Sequence, residues 1–173
     1  ALKAKFTRDP KYAGFDQTKR MCSLYGICSA MAYLHSLSIL HRDFKPANIF
    51  LNDDFDVVIA DFGLSRSVQE NVGMTLNIGS PLFMAPELFT DDYDTVTNAL
   101  DVYAFGVTLL FYFSEKVDKL DDGKGRIVSP QKLLLRIAKG ARFVRPPDMP
   151  DSFWNLYQKC TTDIVAERPS FQQ

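Results

Sequence analysis

Asp43, Lys45, Asn48 and Asp61 fall within one short stretch, His41 to Gly63, with the sequence HRDFKPANIFLNDDFDVVIADFG. They are a carboxylate, an ammonium, an amide oxygen and a second carboxylate. The chain between Asn48 and Asp61 can double back. Ile49-Phe50-Leu51 is an apolar run of strand length, Asn52-Asp53-Asp54 is turn chemistry, and Val57-Val58-Ile59 is a β-branched run. A hairpin built from these pieces returns Asp61 to the neighbourhood of Asn48. Two oxygen donors held close together suit a hard cation such as magnesium, which takes few protein ligands and leaves room for phosphate oxygens. Asp43 and Lys45 would then flank a phosphate held by that metal.

Positioning such groups requires a scaffold, and the flanking sequence supplies helices. Asp16 to Ser36 reads as a long amphipathic helix with Asp16 as N-cap and Met21, Leu24, Cys28, Met31 and Leu34 as its apolar stripe. Ala1 to Gly14 reads as a short helix and a loop around Pro10. Thr97 to Lys116 carries apolar residues on nearly every face, the pattern of a helix buried on all sides. Ser129 and Pro130 open a further helix that Gly140 stops, with Leu133, Leu134, Ile137 and Ala138 as its apolar face. Asp151 to Cys160 is another short helix after the rigid connector of Pro146, Pro147 and Pro150. Leu64 to Met84, with few bulky residues before Leu82, has the composition of a mobile surface loop, and Pro86 to Phe89 that of one short helical turn. The polar stretch Glu115 to Val128 reads as a loop. The fold class is mainly α with a small β-hairpin.

The chain has 173 residues, 46% hydrophobic and 24% charged, enough for one lobe with a real core. A net charge of −1 offers no electrostatic case for nucleic acid or an anionic membrane. The longest apolar stretch, Val102 to Phe113, falls well short of the roughly 20 residues that span a bilayer. Cys22, Cys28 and Cys160 show no metal-ligand spacing. The first two, on one helix, stand about 9 Å apart along its axis, too far for a disulfide. An intracellular, cytoplasmic setting follows as the expectation.

At the chemical stretch the chain resembles the protein kinases. His41-Arg42-Asp43, Lys45 and Asn48 match that family's catalytic loop, Asp61-Phe62-Gly63 its metal-binding triplet, and Ala85-Pro86-Glu87 the motif that closes its activation segment. Three motifs in the right order, with a strand pair between the first two, are far more specific than any one alone. The resemblance covers essentially the whole of residues 1–173, but only the large helical lobe of the kinase fold. The Gly-rich phosphate loop, the strand lysine, its partner glutamate and the last helix of the lobe have no counterpart here. The chain therefore reads as a piece of a longer protein whose own N-terminal lobe would be a partner, and by itself it is expected to be almost inactive.

The resemblance implies roles. Asp43 would orient the substrate hydroxyl and receive its proton, and Lys45 would stabilise charge on the transferring phosphoryl group of ATP. Asn48 and Asp61 would hold magnesium, and Phe50 would floor the adenine pocket, where an aliphatic residue is commoner. His41 and Phe62 would stack in the hydrophobic spine that joins the lobes, and Gly63 would complete the triplet. Asp101, costly on an apolar helix unless satisfied, would accept hydrogen bonds from the catalytic-loop backbone. Glu87 and Arg168 would form a buried ion pair. Arg42 could bind a phosphate on the activation segment, with Thr75 the first choice of phosphosite and Ser67 the second. Ser80 would contact Asp43 and Lys45. His35, at a helix end, reads as a core or capping residue.

Lys45, two residues after Asp43, points to serine and threonine as acceptors. The stretches YLHSLSILHRDFKPANIFL, MAPELF, DVYAFGV and ERPSF come nearest the tyrosine-kinase-like branch. Two readings follow: a Ser/Thr protein kinase that moves the γ-phosphate of ATP to a protein substrate, or a pseudokinase scaffold that binds partners without phosphoryl transfer. An upstream Gly-rich loop and strand lysine would separate them.

Overall fold

The computed structural model describes residues 16–67, 80–89, 97–114, 117, 119–123 and 129–173. The expected short helix before Gly14 lies outside the described residues.

Helix α1 runs Gln17–Ser36, and the side chain of Asp16 caps it by accepting from the Lys19 amide at 2.9 Å. Its buried face differs from the expected stripe. Ser23, Leu24, Ile27, Met31 and His35 are inside, Met21 is exposed, and Cys28 and Leu34 are half-buried. The buried row includes Ser23 and His35 because both find polar partners. Ser23 Oγ donates to the Arg20 carbonyl at 2.8 Å and meets Tyr112 Oη at 3.3 Å. A stripe counted from apolar residues alone omits such positions.

Strand β1, Ile39–Leu40, leads out of α1. A 3-10 turn at Pro46–Asn48 then feeds the hairpin of β2, Ile49–Leu51, and β3, Val57–Ile59. The register pairs Ile49 with Ile59, Phe50 with Val58 and Leu51 with Val57. Asn52 makes the turn: its Oδ1 accepts from the amides of Asp54 at 3.0 Å and Asp56 at 2.8 Å. Phe55 sits at φ 67° in that turn, a conformation that costs a residue with a Cβ about 1 kcal/mol or more. Lys19 compensates in part, its ammonium lying 4.0 Å from the centroid of the Phe55 ring.

A second pair of strands was not expected. Strand β4, Arg66–Ser67, pairs antiparallel with β1, Ile39 opposite Ser67 and Leu40 opposite Arg66. With the 3-10 turns at Phe62–Leu64 and Pro81–Phe83, this corrects the reading of Leu64 to Met84 as loop throughout. Two-residue strands leave no periodicity to find. The turn at Pro86–Phe89 is where the sequence put it.

Helix α2, Ala99–Phe113, starts two residues later and stops three earlier than its apolar run suggested. It is buried from Leu100 through Leu110 and again at Tyr112, so the core is built around it. Helix α3, Pro130–Ala138, has Ser129 as N-cap and is stopped by Gly140 at φ 88°. Leu133 and Ile137 face in, whereas Ala138 is exposed and Arg136 takes the inner position. Arg136 is held there by Asp122, through Nε at 2.9 Å and Nη2 at 2.5 Å. Helix α4, Asp151–Cys160, packs its Tyr157 and Cys160 against α2. A bridge between Leu120 and Phe143 falls within the stretch expected as a polar loop.

Helices α2 and α4 meet at Gly106. A Cβ there would stand 2.7 Å from Cys160 Cβ and 3.0 Å from Thr161 Cγ2. Neither atom is the far end of a flexible chain, so the helices themselves would have to part. Gly106→Ala is therefore expected to destabilise the lobe by about 1–3 kcal/mol, although alanine is the better helix former. An unchanged thermal midpoint would show that the contact relaxes freely.

Candidate active site

The catalytic-loop segment hangs from α2 by one buried carboxylate. Asp101 Oδ2 accepts from the His41 amide at 2.8 Å, and its Oδ1 accepts from the Arg42 amide at 2.9 Å. Both donors belong to a backbone with little freedom, since Arg42 adopts φ 68°. The same Oδ2 lies 2.9 Å from His35 Nε2. The carboxylate that looked costly in an apolar helix is thus satisfied by three donors, which removes the burial penalty.

His41 is fully buried, and its Nε2 lies 3.1 Å from the Ala60 carbonyl. A carbonyl only accepts, so Nε2 carries the proton. Its ring lies 5.1 Å from that of Phe62 at 46° and edge-on to Phe44 at 5.9 Å. Contact between His41 and Phe62 was expected, but it is tilted, not a parallel stack.

From there the loop presents Asp43, which is buried, with Lys45 Nζ against its Oδ2. Lys45 Nζ also donates to Ser80 Oγ at 2.8 Å, and the Ser80 amide donates to Asp43 Oδ1 at 3.1 Å. Asp43, Lys45 and Ser80 therefore close a triangle across 37 positions of sequence. Asn48, also buried, donates its amide nitrogen to the Asp43 carbonyl at 2.9 Å and, more weakly, to Asp43 Oδ2 at 3.4 Å. Both partners only accept, which fixes the orientation of the amide and leaves Oδ1 as the atom available to a cation.

Asp61 arrives by the hairpin. The Ala60 amide donates to the Asn48 carbonyl at 2.9 Å, so Asp61 follows directly after a residue bonded to Asn48. It is exposed and sits at φ 65°, ψ 64°. Gly63 lies close over it; a Cβ at Gly63 would be 3.4 Å from Asp61 Oδ1. The Asn48 amide oxygen and the exposed Asp61 carboxylate are hard oxygen donors of the kind magnesium accepts. Among the described residues no group of three or more His, Cys, Asp or Glu could hold a metal. A cation here would take its remaining oxygens from water or phosphate.

Phe50, Val58 and Phe62 are 45%, 48% and 46% exposed and belong to this same hairpin and triplet. Below the site, Glu87 and Arg168 form a two-pronged pair, Nη1 to Oε1 at 2.5 Å and Nη2 to Oε2 at 2.8 Å. Of the residues proposed for regulation, Thr75 lies outside the described residues, and of Ser67 only the backbone, in β4, is described. Burial pushes the Cys160 thiol up to about 12 and raises that of Cys28, so neither of these two supplies a thiolate. No helix among the described residues is long and apolar enough to cross a membrane.

His35 is buried, as its core reading expects, but its partner was not foreseen: it is the third donor to Asp101. The signal was indirect: a histidine on a face that is otherwise buried needs a partner, and Asp101 is a buried carboxylate on the helix that the site hangs from.

Comparison with known proteins agrees with this geometry. The model of the protein kinase domain matches residues 5–173. A Dictyostelium discoideum protein named "Probable LIM domain-containing serine/threonine-protein kinase" is 36% identical over 148 residues, 85% of this chain and 21% of its own length. The RGS domain-containing serine/threonine-protein kinase A of the same organism is 39% identical over 153 residues, 88% of this chain and 13% of its own. The dual serine/threonine and tyrosine protein kinase of Danio rerio is 32% identical over 157 residues, 91% of this chain and 17% of its own. The chain thus spans about a fifth or less of the length of these relatives. The hairpin that joins Asn48 to Asp61, the triangle around Asp43 and the match over residues 5–173 converge on one assignment: this chain belongs to the protein kinase domain family.

Proposed function

We propose that the chain is the large lobe of an ATP-dependent Ser/Thr protein kinase that transfers the γ-phosphate to a protein hydroxyl. The observation that carries this reading is the triangle of Asp43, Lys45 and Ser80, with Asn48 bonded to it. Phosphoryl transfer needs positioning and charge stabilisation more than covalent chemistry, and these groups are held for both. Asp43, its carboxylate oriented by the Ser80 amide, takes the proton of the acceptor hydroxyl. Lys45 stays within reach of the phosphoryl oxygens. Asn48 Oδ1 and the Asp61 carboxylate would hold magnesium, which would neutralise charge on the nucleotide phosphates. The exposed Phe50, Val58 and Phe62 support an N-terminal lobe as partner, with Phe50 beneath the adenine.

In this reading Arg42 receives a phosphate placed on Thr75 or Ser67, and phosphorylation raises activity. The free cysteines support an intracellular setting. The sequence texture supports the tyrosine-kinase-like branch.

The acceptor is where the relatives differ, since one of them is named for both serine/threonine and tyrosine. Lys45, bonded to a serine of the activation-segment end, supports the narrower choice. The full-length protein, given ATP, magnesium and a mixed protein substrate, is expected to yield phosphoserine and phosphothreonine. Phosphotyrosine in comparable amount would widen the acceptor class. Binding of partner proteins with no phosphate transfer at all would favour a scaffold.

A further inference from the structure

Gly26 stands in the middle of α1, where glycine is a poor choice. It is a weak helix former and loses more backbone freedom on folding than any other residue. The structure shows what takes the place of a side chain. A Cβ at Gly26 would stand 3.2 Å from Val57 Cγ2 and 3.3 Å from Val57 Cβ. Both are tighter than ordinary van der Waals contact. Turning the valine side chain could move its Cγ2 away, but not its Cβ, which is fixed to the strand backbone. Relief would have to come from β3 moving off α1. Lys19 lies on the same face of the helix, seven residues and about 10.5 Å earlier. Its ammonium stands 4.0 Å from the centroid of the Phe55 ring. The hairpin is thus held against α1 at its turn and at the first residue of β3.

The other end of the hairpin is held by the catalytic loop. The Asn48 amide donates to the Lys45 carbonyl at 3.0 Å, and the Asn48 side chain donates to the Asp43 carbonyl at 2.9 Å. Ala60 joins the two metal-donor residues: its amide donates to the Asn48 carbonyl at 2.9 Å, and Asp61 follows it in the chain. Its carbonyl accepts from His41 Nε2 at 3.1 Å. A shift of β3 at Val57, three residues earlier, is taken up at these bonds. Displacing a functional group by about 1 Å can cost on the order of 100-fold in rate, so a few tenths of an ångström corresponds to about three- to tenfold.

We propose that Gly26 is a positioning residue for the metal-binding hairpin: by lacking a Cβ it lets β3 seat on α1 at Val57, and so sets where the strand delivers Asp61 relative to Asn48. The consequence rests on the phosphoryl-transfer reading of the site; the seat itself does not. Gly26 touches neither substrate nor metal.

The test uses the full-length protein with Gly26→Ala, Val57→Ala and the double variant. Hydrogen exchange at the Ala60 amide reports the seat independently of activity. The Phe143 amide, bonded to Tyr157 Oη at 3.0 Å, serves as the reference for overall stability. Steady-state kinetics with ATP, a protein substrate and varied magnesium reports the consequence. Gly26→Ala is expected to speed exchange at Ala60 and not at Phe143. It is expected to raise the magnesium concentration for half-maximal turnover by about three- to tenfold. On the Val57→Ala background, which has no Cγ2 to crowd, the same substitution should add a smaller change in both readouts. Unchanged exchange at Ala60 in Gly26→Ala would overturn the proposal. Equal acceleration at Ala60 and Phe143 would overturn it too, by reducing Gly26 to a residue of general stability. So would an equal added change on both backgrounds, since Val57 would then not be what Gly26 accommodates. A magnesium requirement unmoved while Ala60 exchanges faster would overturn the link to the site. A wild-type protein without kinase activity would sink the phosphoryl-transfer reading; the comparison of Ala60 with Phe143 would still decide whether Gly26 seats the hairpin.

Discussion

Arg168→Ala is expected to lower the thermal midpoint of this lobe by roughly 6–20 °C. The figure follows from about 3–5 kcal/mol for breaking one side of a buried ion pair, at about 2–4 °C per kcal/mol for a domain of this size. The geometry is that of a buried pair and not a surface one: the Arg168 side chain is 0% exposed and that of Glu87 7%. Both nitrogens of the guanidinium fork bond to Glu87, at 2.5 and 2.8 Å. Two further N–H groups are used as well, Nε–H by the Thr162 carbonyl at 3.1 Å and one on Nη1 by the Ala99 carbonyl at 3.1 Å. The guanidinium carbon lies 5.1 Å from the Tyr103 ring centroid. One side chain thus ties the end of the activation segment to α2 and to the segment after α4. Truncation would leave the Glu87 carboxylate buried without its cation and two carbonyls without their donor. Arg168→Lys keeps the charge but not the fork, so it should lose less than alanine yet remain below wild type. Thermal melts of the three proteins check this, and a midpoint unmoved in Arg168→Ala would show that the pair contributes nothing.

The parts of the fold legible in the sequence are those with long-range repetition or strong local chemistry. Helix α2 announced itself by apolar residues on all faces, and α3 by Ser129, Pro130 and Gly140. The hairpin was set by two apolar runs around Asn52, whose side chain does make the turn. What was hidden depended on tertiary partners. The inner face of α1 includes Ser23 and His35, polar residues that only a neighbouring helix makes affordable. Arg136 displaced Ala138 from the inner face of α3 because Asp122 waits there. Strand β4 has two residues and exists because β1 is beside it.

The site divides in the same way. Residue types and spacing single out Asp43, Lys45, Asn48 and Asp61, with the hairpin returning Asp61 towards Asn48, but their roles come from the family resemblance. Ser80 could be named only through family resemblance, and its contacts with Asp43 and Lys45 span 37 and 35 positions. His35 is the core residue it reads as, but its partner, 66 residues on, leaves no local signal.

The second large effect concerns Asp43. Asp43→Asn preserves shape, and its oxygen can still accept from the Ser80 amide, as Oδ1 does now at 3.1 Å. What it removes is the basic oxygen beside Lys45 and the site's ability to take a proton. Loss of a positioned general base typically costs about 10²- to 10⁴-fold in rate. Nucleotide affinity should change little, because Asn48, Asp61 and Lys45 remain. The decisive measurement is transfer of radiolabelled γ-phosphate to a protein acceptor by the full-length protein, wild type beside Asp43→Asn, with ATP binding followed in parallel. The expected result is turnover in the wild type, a loss of at least about 100-fold in the variant, and ATP affinity within a few-fold between the two. Wild-type turnover that survives Asp43→Asn would contradict the assignment of this site as the place where phosphate is transferred.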